Sequence, residues 1–355
     1  MKNKFKTKIA FALLVALLSG CDTSNSNSFN NSTNPIGSAS VTTPSVTLPD
    51  SNVPSVTIPS VTVPSTNVPS VTIPSTNPPV SNTPSVSTKP SEASTKPSQL
   101  TSQTSTVVVE GKWQYFLQSD SSASRDFMRT PYIEGVTPSV DDSYYSSAFG
   151  KSGSSLLNSL KSIVGGSISR SYDWSRFEKV DEDPNNSSNV FCIYSRTSYG
   201  KSAHVSGNAA DRWNREHTYP QSKISKDAAK DSILIFADDW KTNGARSNYV
   251  FGEVAHNSST AVKDSANRVT ANYRQGSTFE PCDAAKGEVA RATLYTYVVY
   301  GHSVTGNFTS LDICLKWNKE FPVTSWEILR NNRNYSVQGN RNPFIDHPEF
   351  ADLLF

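Results

Sequence analysis

Between Asp22 and Thr106 the chain repeats units of the type Pro-Ser-Val-Thr-Ile-Pro-Ser, as at Pro54 to Ser60 and Pro69 to Ser75. Proline lacks an amide hydrogen, so its recurrence blocks helical turns and sheet ladders alike. The only charges here are Asp22, Asp50, Lys89, Glu92 and Lys96, and no aromatic residue follows Phe29 to seed a core. Residues 21–106 are therefore expected to form a disordered, solvated linker. As a coil it would reach roughly 50 Å, and several-fold more as polyproline II, enough for a stalk through a cell wall. The simpler reading is a spacer with no recognition role. Whatever folds must lie downstream, from about Val107 to Phe355, a length that supports one sizeable core.

Lys2, Lys4, Lys6 and Lys8 precede an apolar run from Ile9 to Leu18, followed by Ser19-Gly20-Cys21. A basic start, a short apolar stretch and small residues before a cleavage point make residues 1–20 a signal peptide. The run is too short to span a bilayer. Leu18-Ser19-Gly20-Cys21 resembles the bacterial lipoprotein box, which implies lipidation at Cys21 and anchoring at the extracellular face of the membrane. An ordinary secretory signal and a secreted product are the alternative. Cys192, Cys282 and Cys314 remain, an odd number, so at most one disulfide forms. No Cys-x-x-Cys or His-x-x-x-His spacing supports zinc. Without the signal lysines the folded region is close to neutral, so bulk charge does not announce a nucleic-acid binder.

Local patterns predict an α+β domain. Leu156, Leu157, Leu160, Ile163 and Val164 share one helical face over Ser154 to Val164, with Gly165-Gly166 as a stop. A strand is expected over Asn189 to Tyr194 after the turn at Asp183-Pro184-Asn185-Asn186. Asp283 is positioned to cap a helix running to Tyr300 and closed by Gly301, with Val289, Thr296 and Val299 on its buried face. Leu311 to Glu320 reads as a helix ended by Pro322, and Thr324-Ser325-Trp326-Glu327 carries the capping-box pattern of a short one. Helices are expected to dominate. No Gly-rich phosphate loop or Gly-x-Ser-x-Gly elbow is present.

The chemistry concentrates in Asp211-Arg212-Trp213-Asn214-Arg215-Glu216-His217-Thr218-Tyr219-Pro220. A hard metal ion favours a carboxylate oxygen, a nucleophilic water a general base, and a phosphate a cation. Glu216, His217 and Arg215 supply these in succession. Further along, Asn243-Gly244-Ala245-Arg246 offers an amide oxygen as a second ligand and Arg246 as a phosphate contact. Alone, Asn-Gly is merely a turn.

Together the two motifs resemble the bacterial endonuclease I family, nucleases with a ββα-metal (His-Me finger) site. Asp181-Glu182-Asp183-Pro184-Asn185-Asn186, Phe251-Gly252-Glu253, Phe279-Glu280-Pro281, Lys286-Gly287-Glu288-Val289-Ala290-Arg291-Ala292 and Asn340-Arg341-Asn342-Pro343-Phe344-Ile345-Asp346-His347-Pro348 follow as family-like blocks in order. The resemblance covers 141–355 and leaves 107–140 as an extension that is either a strand-rich cap or linker. It implies a ββα-metal core embedded in a mainly helical domain. It also implies His217 as general base, Glu216 and Asn243 as ligands of one ion (Mg²⁺, or Ca²⁺ or Mn²⁺), and DNA, with RNA as a further substrate. The protein is expected to act as a monomer. The family's phosphate-contacting arginine is not fixed by the motifs, so Arg246, Arg215 and Arg291 stand as candidates. Where the family carries Asp-Leu-His, this chain has Asp231-Ser232-Ile233, so a supporting histidine is replaced by Ile233.

In a regular strand Glu216 and His217 point to opposite faces, so serving one site requires a strand end or bend near Pro220. Of the remaining histidines, His347 is expected to pack or cap, His302 to sit at a helix C-terminus, and His204 and His256 to lie solvated in polar loops. Trp213 and Trp317 are expected in the core. Arg330, Arg333 and Arg341 are candidates to join Arg212 and Arg215 in a basic strip. The resulting expectation is a surface nuclease of low sequence specificity that serves nucleotide scavenging. Its rivals are an inactive nuclease-like nucleic-acid binder and a stalked adhesin.

Overall fold

In this computed structural model the described residues are 105–166, 168–205 and 212–355. The expected signal peptide 1–20, Cys21 and all but the last two residues of the expected linker 21–106 lie outside them. The valine-rich strand Thr106–Glu110 (β1) pairs antiparallel with Trp113–Leu117 (β2), and Arg129–Pro131 (β3) joins the far edge of β2. Gly111 turns the hairpin at a φ of +57°, a conformation in which a side chain would be strained. Phe116, Phe127 and Met128 enter the main core, so this stretch supplies a sheet and core residues to the folded body.

Gly153–Val164 (α1) buries Leu156, Leu160 and Val164, the stripe expected from their spacing, and ends at Gly165. Trp174–Val180 (α2) follows. Glu182–Asp183 (β4), Asn186–Phe191 (β5) and Ser198–Gly200 (β6) form an antiparallel sheet in that order, with its first turn at Pro184-Asn185. Next come Trp213–His217 (β7), Ile235–Asp239 (β8) and Trp240–Arg246 (α3), a ββα unit. Val250–Phe251 (β9), Ala261–Lys263 (β10), Val269–Gln275 (β11) and Thr278–Glu280 (β12) make a sheet of order β10-β11-β12-β9, whose β12–β9 pair is parallel. The chain closes with Asp283–Tyr300 (α4), Leu311–Glu320 (α5), Ser325–Gln338 (α6), Pro343–Asp346 (α7) and Phe350–Leu354 (α8).

Helix α4 is the axis of the body. It is buried nearly all round, including Lys286, Glu288 and Arg291. Those charges are tolerated because each has a partner: Lys286 with Glu280 and Asp283, Glu288 with Arg196, and Arg291 with Glu327 through two bonds of 2.7 and 2.9 Å. Gly287 lets the helix approach its neighbours closely; a Cβ there would lie 2.6 Å from the Phe321 carbonyl oxygen and would overlap Arg291 Nη2. The capping box at Thr324 and Glu327 is present, so Glu327 both caps α6 and holds Arg291.

Several expectations change. The fold is α+β, but strands in four small sheets share it with the helices more evenly than the sequence suggested. The α4 cap position is Cys282, with Asp283 inside the first turn and bonded to Gln118 and Lys286 instead. The helix after the capping box is long, Ser325–Gln338. Cys192, Cys282 and Cys314 are all buried free thiols. His256 is not solvated: it stacks on Tyr273 and lies between Asp120 at 2.8 Å and Glu280 at 3.1 Å. His204 stacks on Trp174, and His302 accepts from the Ser225 amide. His347 packs among Tyr145, Phe149 and Phe350. No basic strip assembles from Arg330, Arg333 and Arg341, because they turn to Asp181, Glu182 and Asp346 respectively. Trp213 and Trp317 are core residues.

Candidate active site

The ββα unit is built on a five-residue antiparallel ladder that pairs Trp213 with Asp239, Glu216 with Phe236 and His217 with Ile235. Side chains alternate along it. One face carries Trp213, Arg215 and His217 beside Ile235 and Ala237, and packs on Phe177, Tyr172 and Trp174. The other carries Asn214 and Glu216 beside Phe236 and Asp238, and is covered by α3. Asp239 caps that helix through the amides of Lys241 and Thr242, and the Thr242 hydroxyl donates to Asp238, which fixes the helix to the strand.

On the α3 side Glu216 is buried. Its Oε1 accepts from the Tyr194 hydroxyl at 2.8 Å and lies 3.4 Å from Arg246 Nε. That second contact is ionic rather than a hydrogen bond, since Arg246 Nε has no aligned acceptor among the described residues. Burial pushes the Glu216 carboxyl up, while Arg246 and Tyr194 pull it down; burial wins. Asn243, on α3, donates its amide nitrogen to Asn214 Oδ1 at 2.8 Å and to the Arg215 carbonyl at 3.3 Å. With the nitrogen committed to β7, the amide oxygen is left as the acceptor of this side chain.

Across the strand, His217 is 8% exposed and its Nε2 lies 3.1 Å from the Ala229 carbonyl. A carbonyl can only accept, so Nε2 carries the hydrogen and Nδ1 keeps the lone pair that a base needs. Burial, with smaller contributions from Arg215 and Arg246, lowers its pKa to about 4 against the opposing Ala229 hydrogen bond, so the ring is neutral near neutral pH. Behind Ala229 opens a cleft of about 280 Å³ lined by Tyr172, Gln221, Ile224, Lys226, Ala229 and Lys230. Glu216 and His217 thus stand on opposite faces of β7, as its last two residues.

The three candidate arginines have different surroundings. Arg246 is 1% exposed and donates to the Thr218 carbonyl, the Ser247 carbonyl and Asn307 Oδ1. Arg215 donates to the Tyr172 carbonyl and lies between the Tyr172 and Trp174 rings, 3.6 and 3.9 Å from their centroids. Arg291 is held by Glu327 and by the Asn318 and Phe321 carbonyls inside the body, apart from this site. Ile233 is core: its side chain joins the main cluster, and its carbonyl faces Arg330 rather than Glu216.

The donor set suits a hard cation. Glu216 on β7 brings a carboxylate and Asn243 on α3 an amide, both oxygen donors of the kind a hard cation takes. Few protein ligands with water completing the shell is the habit of Mg²⁺. The donor chemistry of Glu216 and Asn243 is compatible with such an ion.

Sequence reasoning missed Asn214, Tyr194 and Ala229. Asn214 was recoverable, because the two-residue period places it beside Glu216. Tyr194 and Ala229 come from other segments, and no local pattern links them to the motif.

A family model described as Endonuclease I matches residues 152–349, more than half of the chain. The extracellular ribonuclease of Bacillus amyloliquefaciens is 37% identical over 243 residues, covering 62% of this chain and 81% of that protein. The extracellular ribonuclease of Bacillus subtilis (strain 168) is 36% identical over 236 residues, covering 60% and 78%. A periplasmic deoxyribonuclease of Aeromonas hydrophila is 29% identical over 112 residues, covering 32% and 45%.

Proposed function

The chain belongs to the endonuclease I family, and from that premise we propose that this nuclease hydrolyses RNA and DNA with low sequence specificity, in a metal-dependent reaction outside the cell. The observation that carries the reading is the ββα unit itself, with Glu216 and Asn243 on one face and His217 ending the strand. RNA gains weight because the relatives matched over most of their length are named extracellular ribonucleases; relatives named deoxyribonucleases match shorter stretches.

Neutral His217 takes a proton at Nδ1 from the attacking water, while the Ala229 carbonyl holds the ring through Nε2. Glu216 and Asn243 would hold a divalent ion, which would supply charge stabilisation to the phosphoryl and leaving oxygens. Arg246 favours the ionised form of Glu216 against its burial and holds it in place, and Asn214 orients the Asn243 amide through its nitrogen. A site that addresses only backbone phosphate has little means of reading sequence, which is the basis for low specificity.

For localisation the proposal is lipid anchoring through Cys21 at the extracellular face, in a scavenging role. Replacing Cys21 with Ser should move the protein from the detergent phase to the medium. The catalytic reading is tested by incubating the protein with RNA and plasmid DNA, with Mg²⁺, Ca²⁺ or Mn²⁺ or with chelator. Cleavage that needs metal and disappears in His217→Ala supports it. Nucleic acid that stays intact with every metal, while the protein still binds it, leaves the inactive-binder reading instead.

A further inference from the structure

We infer that the cleft beside His217 seats one unpaired nucleotide of the substrate strand, with Lys226 and Lys230 pairing the phosphates that flank it. The inference deepens the nuclease reading and rests on it. Three features of the cleft carry it.

The first is position. Ala229 belongs to both structures: its carbonyl receives His217 Nε2, and its residue forms part of the cleft wall. The Tyr172 ring lies 5.8 Å from the His217 ring and forms another wall. Ala229 and Tyr172 thus stand between the His217 ring and the cleft, so a group seated there adjoins the two residues that border the imidazole.

The second is chemistry. Tyr172 and Ile224 offer an aromatic and an aliphatic surface, Gln221 offers an amide donor and acceptor, and Lys226 and Lys230 flank Ala229 in the chain as exposed residues. Among the described residues no carboxylate lines the cleft. An apolar wall, one amide and two cations match a base, its sugar edge and two phosphates. Bases are commonly held on aromatic side chains while cations follow the backbone.

The third is size. At about 280 Å³ the cleft is near the lower limit of ordinary ligand pockets, about 300 to 1,000 Å³. It admits one nucleotide-sized group and not a stacked duplex. A paired base would have to unstack to enter, whereas a single strand presents its bases already free. RNA is the polymer that most often presents them so.

The test uses the full chain with chelator and a labelled single-stranded oligonucleotide, followed by a duplex of the same sequence, so that binding is read without turnover. The unaltered protein should bind the single strand more tightly. The double variant Lys226→Ala with Lys230→Ala, both exposed and remote from the core, should weaken single-strand binding roughly tenfold. It should also flatten the slope of log affinity against log salt by about 1.4, two phosphate contacts at about 0.7 each. With Mg²⁺ restored, the loss should appear in KM rather than in kcat. Tyr172→Phe should retain single-strand preference. A double variant with unchanged affinity and salt slope overturns the subsite, as does equal or tighter binding of the duplex. If binding behaves as expected but no metal supports cleavage, the nuclease reading fails and the subsite stands. Intact cleavage with an unaffected double variant does the reverse, leaving the nuclease and removing the subsite.

Discussion

Glu216 and Arg246 form an ion pair buried between β7 and α3, with Nε 3.4 Å from Oε1 and side chains 3% and 1% exposed. It joins the proposed metal ligand to a guanidinium whose other donors hold the loop carbonyls of Thr218 and Ser247. The cation offsets the burial of a carboxylate, and the loop bonds keep that cation from reorienting.

Replacing Arg246 with Met should therefore destabilise the protein by about 3 to 5 kcal/mol at neutral pH, the range for breaking a buried pair. Arg246→Lys should restore little, because one ammonium group cannot reproduce the fork to Thr218, Ser247 and Asn307. The deficit should shrink on acidification. The Glu216 pKa is already raised and would rise further in Arg246→Met; a raised folded pKa means the native state binds the extra proton, so stability is regained as pH falls through that value. Urea unfolding of both proteins at neutral and mildly acidic pH measures this. A small deficit that does not vary with pH would remove the pair from this role.

Asn214 should behave as an orienting residue for Asn243. Its Oδ1 receives the Asn243 amide, so Asn214→Ala leaves only the longer bond to the Arg215 carbonyl to orient that amide and should weaken divalent-metal affinity about 10- to 100-fold, the usual penalty for losing an outer partner. Excess metal should then recover most of the activity, whereas Asn243→Ala should not recover. Calorimetric titration with Mg²⁺ or Mn²⁺, beside activity against metal concentration, tests both. Equal affinity in Asn214→Ala and the parent protein would mean that Asn243 is not a ligand or needs no orientation.

These relationships mark how far the sequence could be read. Helices α1, α5 and α6 were legible from local signals: apolar spacing, a stop at Gly165, and the Thr324 and Glu327 box. The α4 span was legible too, but its environment was not. Nothing local marks Lys286, Glu288 and Arg291 as buried, and they are buried because Glu280, Arg196 and Glu327 arrive from other segments to pair with them. The same limit applies at the site. Glu216, His217 and Asn243 are visible as motif residues, while Tyr194 at Glu216 and Ala229 at His217 depend on tertiary placement. Arg330 and Arg341 misled for this reason as well, since a surface charge and one buried against Asp181 or Asp346 are spelled alike.

Gly287 should tolerate no side chain. A methyl group there would meet the Phe321 carbonyl at 2.6 Å and crowd the Arg291 guanidinium, which can only yield by leaving Glu327. Gly287→Ala would ordinarily favour a helix by up to about 1 kcal/mol. Here the overpacking should prevail, for a net loss of about 1 to 3 kcal/mol. Thermal melting of the variant checks the sign; a raised midpoint would show that α4 and α5 part easily.

His217 should leave a signature in the pH dependence of stability. Its folded pKa of about 4 lies below the ordinary value of 6.5 because the ring is buried. Between those values the unfolded chain binds the proton and the native state does not, so stability falls as pH drops through that window. The contribution is about 3 kcal/mol at most, at 1.36 kcal/mol per pH unit. His217→Gln removes this proton linkage, and its stability should fall less steeply over the same interval than that of the parent protein. Activity should drop at least a hundredfold in that variant if His217 is the base. Paired denaturation curves across the acid limb separate the two roles. Parallel pH profiles would place the histidine pKa near its solvated value, and full activity in His217→Gln would assign the base to another group.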